Sequence, residues 1–234
     1  MFKDSSAGPV DPESNRQYSR FDQLNPQWWD LLARLTNSGE ALPEHVRLVG
    51  NELEIPWFNR RLRLNPAERN LYFQPLTSAS PSWQEGLVIM VLFKYLAAHR
   101  RLPPPSALSN ENHLSGGPTF FRGPHLSAST LIARRFSAAG AQMLKQGELW
   151  GGRPACYGEF SLSFEVFPGL DWQVVLWEAD AEFSARAQYL FDKGLEKVFP
   201  LDVIWALGNV IAAKLMNAGS VILRTEVQKT EIRF

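Results

Sequence analysis

Three carboxylates at two-residue spacing, Glu178, Asp180 and Glu182, are the residues of this chain best placed to do chemistry. They follow an apolar run, Val174 to Trp177, that reads as a strand covered on both faces. If the extended backbone continues through them, a period of two puts all three on one face. Like charges so spaced repel one another unless water, a cation or arginines compensate. Converging, they would suit a hard divalent cation or a polar ligand pocket. Diverging, they are a solvated strand end with local salt bridges. Asp192 closes the next apolar segment, Tyr189-Leu190-Phe191, and adds a fourth acid.

The groups that could face these acids lie earlier in the chain. Ser106 to His125 reads as a loop, with Gly116-Gly117-Pro118 and Gly123-Pro124 as breakers. A connection that long is uncommon unless it is functional or contains short elements of its own. Its glycines lack P-loop spacing and no Lys-Ser/Thr follows, which excludes nucleotide-phosphate binding of that kind. Phe121, Arg122 and His125 remain as candidate binding groups, although Phe120 and Phe121 would equally serve as core plugs. The candidate ligand pocket is therefore Phe121, Arg122, His125, Glu178, Asp180, Glu182 and Asp192. Arg60, Arg61 and Arg63 form a separate basic patch, readable as the solvated face of a strand or as an anion site.

These residues need a scaffold, and the patterning predicts one. Asn25-Pro26, followed by Trp28, Leu31, Leu32 and Leu35 at helical spacing, predicts a helix over about 26–36. From His45 to Phe73 short alternating runs broken by turn residues predict two or three antiparallel strands, with Pro56 marking an edge or an early end. Ser82-x-x-Glu85 is a capping box before a run that is apolar nearly all round, so a central buried helix should extend to about Arg100. A further helix is expected over 128–145, and a hairpin over 161–178 around Pro168-Gly169. Val203, Ile204, Leu207, Val210, Ile211, Lys214 and Leu215 mark a last helical stripe, opened by Asp202 and stopped at Asn217 to Gly219. The tail from Ser220 to Phe234 reads as a terminal strand, an edge that could pair with another chain. The fold expected is α+β: a mainly antiparallel sheet packed with four to five helices, in one domain over 16–234 behind a disordered tail of 1–15.

Composition narrows the functions. The 234 residues carry 24 basic and 24 acidic side chains, so no net charge draws the chain to nucleic acid or an anionic membrane. No run reaches membrane-spanning length, and the N-terminus has no apolar core behind a basic start, which predicts a cytoplasmic protein. Cys156 is the one cysteine, too few for a disulfide, a zinc site or an iron–sulfur cluster. The four histidines are scattered, and no nucleophile elbow or cofactor fingerprint occurs. No cofactor is expected beyond a divalent cation at the acids.

The segments GGPTFFRGPH, VFPGLDWQVVLWEADAEFSARAQYLFD and the last helix resemble a family of uncharacterised prokaryotic domains common in anaerobes. The resemblance covers roughly the last two thirds of the chain. Some longer members carry a cysteine-rich, iron–sulfur-type segment, from which this chain departs. Ala181 stands where a further acid is typical. The resemblance implies that Trp177, Glu178, Asp180, Glu182, Phe183 and Asp192 matter, and it implies no reaction. Three functions stay open: a non-catalytic accessory or small-ligand-binding domain, an acid/base or metal-dependent enzyme using the four acids, or an assembly protein, such as a homodimer, pairing through its C-terminal strand or the arginine-rich hairpin.

Overall fold

The structure, a computed structural model, describes residues 21–75 and 80–231; the expected tail of 1–15 lies outside them. Among the described residues there are six α-helices and two antiparallel sheets, of four and five strands. The first sheet is a meander of β1 (Arg47–Val49), β2 (Glu52–Trp57), β3 (Arg60–Asn65) and β4 (Asn70–Gln74). Strict alternation builds it: Leu53, Ile55, Trp57, Leu62, Leu64, Leu71 and Phe73 are buried, while Glu52, Glu54, Arg63 and Tyr72 take the outer face. Pro56 neither ends β2 nor sits at the sheet's edge in strand order. Instead, β1 pairs only with Glu52 to Glu54, so β2 is locally uncovered at Pro56 and a missing N–H costs no ladder bond there.

The turn from β2 to β3 uses just Phe58 and Asn59. Phe58 adopts a left-handed φ of 51°, costly for a bulky residue by roughly 1–2 kcal/mol. The conformation sends its N–H to the Val166 carbonyl of the second sheet, at 2.8 Å, and its ring edge-on to Phe164. One turn thus stitches the two sheets together.

Helix α1 (Pro26–Asn37) begins at the Asn25 cap and buries Trp29 and Leu32. Helix α2 (Trp83–His99) begins at the expected capping box, both halves of which form, and ends at Arg100 in a left-handed conformation. Its Val88, Ile89, Met90, Leu92, Phe93 and Leu96 are fully buried.

The second sheet has the order β5-β9-β8-β7-β6. Strands β7 (Phe160–Phe167) and β8 (Leu170–Trp177) form the expected hairpin, turning at Gly169 with φ 81°. Strand β9 (Arg186–Asp192) extends it on one side, and the two-residue β5 (Leu108–Ser109) and β6 (Arg153–Pro154) blunt its edges. The segment 106–125 contains β5, a one-turn helix α3 (Gly117–Phe120) and two 3-10 turns rather than plain loop.

Two expectations are corrected. The helix over 128–145 is two helices, α4 (Ser129–Arg135) and α5 (Gly140–Glu148). The break falls where Ser137 accepts a backbone bond from Ala179 and where a side chain at Gly140 would strike Phe160 at 2.2 Å. The C-terminal strand is absent: α6 (Leu201–Glu231) runs through it as helix. No proline follows Pro200, and Gly219 costs a helix only about 1 kcal/mol, so nothing in that segment forces a stop. Strand pairing through the tail loses its strand. The expected stripe of α6 packs on α2, and one cluster of buried apolar side chains runs through both sheets and the helices.

Candidate functional site

The acids of the sequence motif do not share a strand face. Strand β8 ends at Trp177, and the backbone leaves the sheet before Glu178. Glu178 Oε1 accepts from the Gly140 amide at 2.6 Å and so caps α5 from 38 residues away. Asp180 accepts from the amides of Phe183 and Glu182, which hold its carboxyl below the usual range. The Glu182 side chain is exposed. Asp192 caps a 3-10 turn through Gly194 and binds the Ser106 hydroxyl and amide. Trp177 pairs with Arg186, so Asp192 lies a further six residues along β9, about 20 Å from Glu178. No group of three or more metal-capable side chains occurs among the described residues. Cys156 is exposed and alone, so the described residues do not fit a metal cluster.

The Gly-Gly loop goes elsewhere. His125 stacks on Phe120 at 4.4 Å and meets Trp205 of α6 edge-on, while Arg122 is exposed with no ion pair among the described residues. Phe121 lines a closely packed crevice, without room for a water molecule, together with Glu111, Ser127, Trp172 and Tyr189. Glu111 is buried, its Oε1 accepts from the Ser127 hydroxyl at 2.5 Å, and burial pushes its carboxyl above the ordinary value. The Trp172 indole N–H in this wall has no hydrogen-bond partner among the described residues. The structure therefore brings Phe121 and His125 to the N-terminal half of α6 and leaves the 178–182 acids at the start of α5.

A second buried polar group was not anticipated as a site. Lys214, on the apolar stripe of α6, and Glu85, at the start of α2, are 7% and 4% exposed. Lys214 Nζ lies 2.8 Å from Glu85 Oε1, which also accepts from Trp57 Nε1 at 3.0 Å; Glu85 Oε2 takes the Ser82 amide. The ammonium sits 3.7 Å from the Trp150 ring centre and faces Phe58 and Phe73 as well. Burial lowers the Lys214 pKa, Glu85 opposes that shift and Arg60 adds to it. The available signal was Lys214 itself, because a cation on a core-facing stripe requires a buried partner.

Arg60 connects this group to the surface. Its guanidinium lies 4.2 Å from the Trp150 ring centre and over Phe73, and burial lowers its pKa against the pull of Glu85. The turn carrying Trp150 is docked there by Asn59, whose Nδ2 donates to the Leu149 carbonyl at 3.2 Å. Gly151, with φ 79°, presses on Asn59 so closely that a Cβ would stand 2.7 Å from it. In front of Arg60 opens a cleft of about 400 Å³, within the range of small-ligand sites. Register explains its floor: Pro56, Arg61 and Gln74 are a cross-strand row of the outer sheet face, and Phe58, Asn59, Arg60 and Pro75 close its end.

The outer face is thus split by charge. One row along, Arg63 Nε pairs with Glu54 at 2.8 Å and its Nη1 approaches Glu52, which also binds Tyr72 and Asn65. Arg61 is exposed and has no ion pair among the described residues. Arg60 and Arg61 are both among the described residues that line the cleft. A comparable groove between α1 and the end of α2 includes Glu40 beside Arg34 and Arg100.

Residues 41–214 match the family model described as a domain of unknown function, DUF3786. The match reaches upstream of the last two thirds of the chain and takes in the four-stranded sheet with its arginines. No curated protein matches the chain, and no solved structure matches it.

Proposed function

The chain belongs to the family of domains of unknown function DUF3786, and we propose that it is a non-catalytic domain that binds a small anionic ligand. The site is the cleft at the β2–β3 turn. The observation that carries this reading is Arg61, exposed on the outer-face row that floors the cleft and with no ion pair among the described residues, whereas Arg63 on the same face pairs with Glu54 and approaches Glu52. Arginine guanidinium remains protonated in proteins and donates in a fork suited to oxyanions. The other polar side chains of the lining are the amides of Asn59 and Gln74, which do not exchange protons near neutral pH. That donor set favours binding over proton-transfer chemistry.

Calorimetric titration with phosphate and with acetate tests the reading. Heat should appear with the parent protein and weaken with added salt. Arg61→Gln should reduce affinity about tenfold or more, the loss of one charge-assisted contact, with an unchanged melting temperature because Arg61 is exposed. Arg63→Gln should bind as the parent does. Equal binding by parent and Arg61→Gln would remove the cleft as the site.

A further inference from the structure

We infer that the cleft at the β2–β3 turn receives the acidic β8–β9 loop of a second copy of this chain, with the Phe183 ring against its apolar walls and Arg61 facing the loop's carboxylates. The inference goes beyond the anion-binding reading above, with which it shares the cleft and Arg61.

The loop is a built knob. Strand β8 ends at Trp177 and β9 begins at Arg186, whose guanidinium lies 4.2 Å from the Trp177 ring centre, so the base of the connection is closed. At its tip the Asp180 carboxylate accepts from the amides of Glu182 and Phe183, and the Asp180 amide donates to the Phe183 carbonyl at 3.0 Å. Three hydrogen bonds thus fix a four-residue turn. That turn carries Phe183 outward, 69% exposed, the most exposed large apolar side chain among the described residues. Because the backbone beneath the ring is already fixed, docking it orders little beyond the side chain. Asp180 and Glu182 beside it are exposed, and neither has an ion pair among the described residues.

Such a knob fits an apolar recess with positive charge at its rim. Pro56, Phe58 and Pro75 wall the cleft, whose volume of about 400 Å³ leaves room for a phenyl ring and its neighbours. Arg61 is exposed in its lining and has no ion pair among the described residues. Two further grooves oppose the loop by charge: Glu40 lines the one between α1 and α2, and Glu44 the one bordered by Pro103 to Pro105. With 24 basic and 24 acidic residues the chain has no net charge to repel its own copies, so the local match decides.

One copy cannot fill its own recess. Phe58 is tied to Val166 near one end of β7, whereas the loop leaves β8 next to Leu176, which pairs with Phe160 at the other end. Those six residues of strand separate knob and recess by about 20 Å. Each copy therefore offers both halves of the contact.

Sedimentation velocity on the full chain, from about 10 μM to about 1 mM, tests the inference, since a contact this small belongs to the weak class. The parent should move toward dimer or larger species over that range and return toward monomer in high salt. Phe183→Ser and Arg61→Glu should each weaken association about tenfold or more, with unchanged melting temperatures because both side chains are exposed. Mixed one to one, the two variants should associate with each other, because the first keeps the recess and the second keeps the knob. A parent that stays monomeric throughout, a variant that associates as the parent does, or a mixture no heavier than its components would each overturn the inference. Phosphate titrated calorimetrically into Phe183→Ser separates the two readings of the cleft. That variant keeps Arg61 and has lost the competing knob, so absence of heat there would overturn the anion-binding reading and leave self-association standing.

Discussion

Glu85 and Glu111 are both carboxyls of the core, 4% and 7% exposed, yet they are surrounded in opposite ways. Glu85 has a donor for each oxygen: the Lys214 ammonium and the Trp57 indole on one, the Ser82 amide on the other. Glu111 accepts from the Ser127 hydroxyl and its own backbone N–H, and a neighbouring indole N–H has no hydrogen-bond partner among the described residues. The first arrangement keeps a full charge inside the protein; the second pushes the carboxyl toward its neutral form. The difference follows position. Behind the cleft the interior holds fixed charges, with Arg60 and Lys214 both against Trp150. Beneath the Gly-Gly loop the interior excludes them. The cleft proposed as an anion site therefore lies on the side of the molecule built around Glu85.

The largest effect expected from this contrast is at Lys214. Lys214→Met leaves the Glu85 carboxylate buried without its cation and should cost about 3–5 kcal/mol in urea unfolding. The double variant Glu85→Gln with Lys214→Met should recover most of that loss, because a well-packed neutral pair avoids desolvating two charges. A single variant as mild as the double one would mean that the pair is not what fixes charge in this half of the core.

Glu111 should behave in the other sense, and pH separates the two. Burial raises its carboxyl above the ordinary 4.5, so the folded protein keeps this proton where the unfolded chain has lost it. The stability contributed by Glu111 is thus complete below about 4.5 and is lost as pH rises through the raised value. Glu111→Gln has no proton to lose there. Relative to the parent it should gain stability across that window, by something on the order of the 1–3 kcal/mol of a poorly satisfied buried polar group. Unfolding measured in steps of pH checks this. A difference that does not change with pH would show that Glu111 is as well compensated as Glu85.

How much of this was legible in the sequence follows from the range of each interaction. The capping box at Ser82 and Glu85 is a four-residue affair, and it was readable. The partner that makes Glu85 more than a cap is Lys214, 129 positions on, and no local pattern joins them. The three arginines of β3 were readable as a patch. Which of them is neutralised depended on the register of β2, which places Glu54 opposite Arg63 and Pro56 opposite Arg61. The acids from Glu178 to Glu182 misled for the converse reason. Period-two spacing has meaning only while the strand continues, and β8 stops at Trp177. The same acid also explains the split of the expected 128–145 helix, since Glu178 caps the new N-terminus at Gly140.

That last pairing carries the smallest expected effect and extends the comparison to the surface. Glu178 is half-buried and serves backbone amides, as Glu85 does at Ser82, but it has no cation beside it among the described residues. Its charge faces the positive end of α5, where such contacts are worth about 0.3–1 kcal/mol. Glu178→Gln should therefore lower stability by that amount and show the loss most clearly at low salt. Glu182→Gln, with an exposed side chain, should change stability by less than about 0.5 kcal/mol. The measurement doubles as a test of the acids as a cation site, because thermal unfolding can be repeated with calcium or magnesium. If the parent melts at a higher temperature with either ion and Glu178→Gln does not, Glu178 is a ligand as well as a cap. If the ions leave both unchanged, its charge belongs to the helix end alone, and Glu85 remains the acid around which fixed charge is organised.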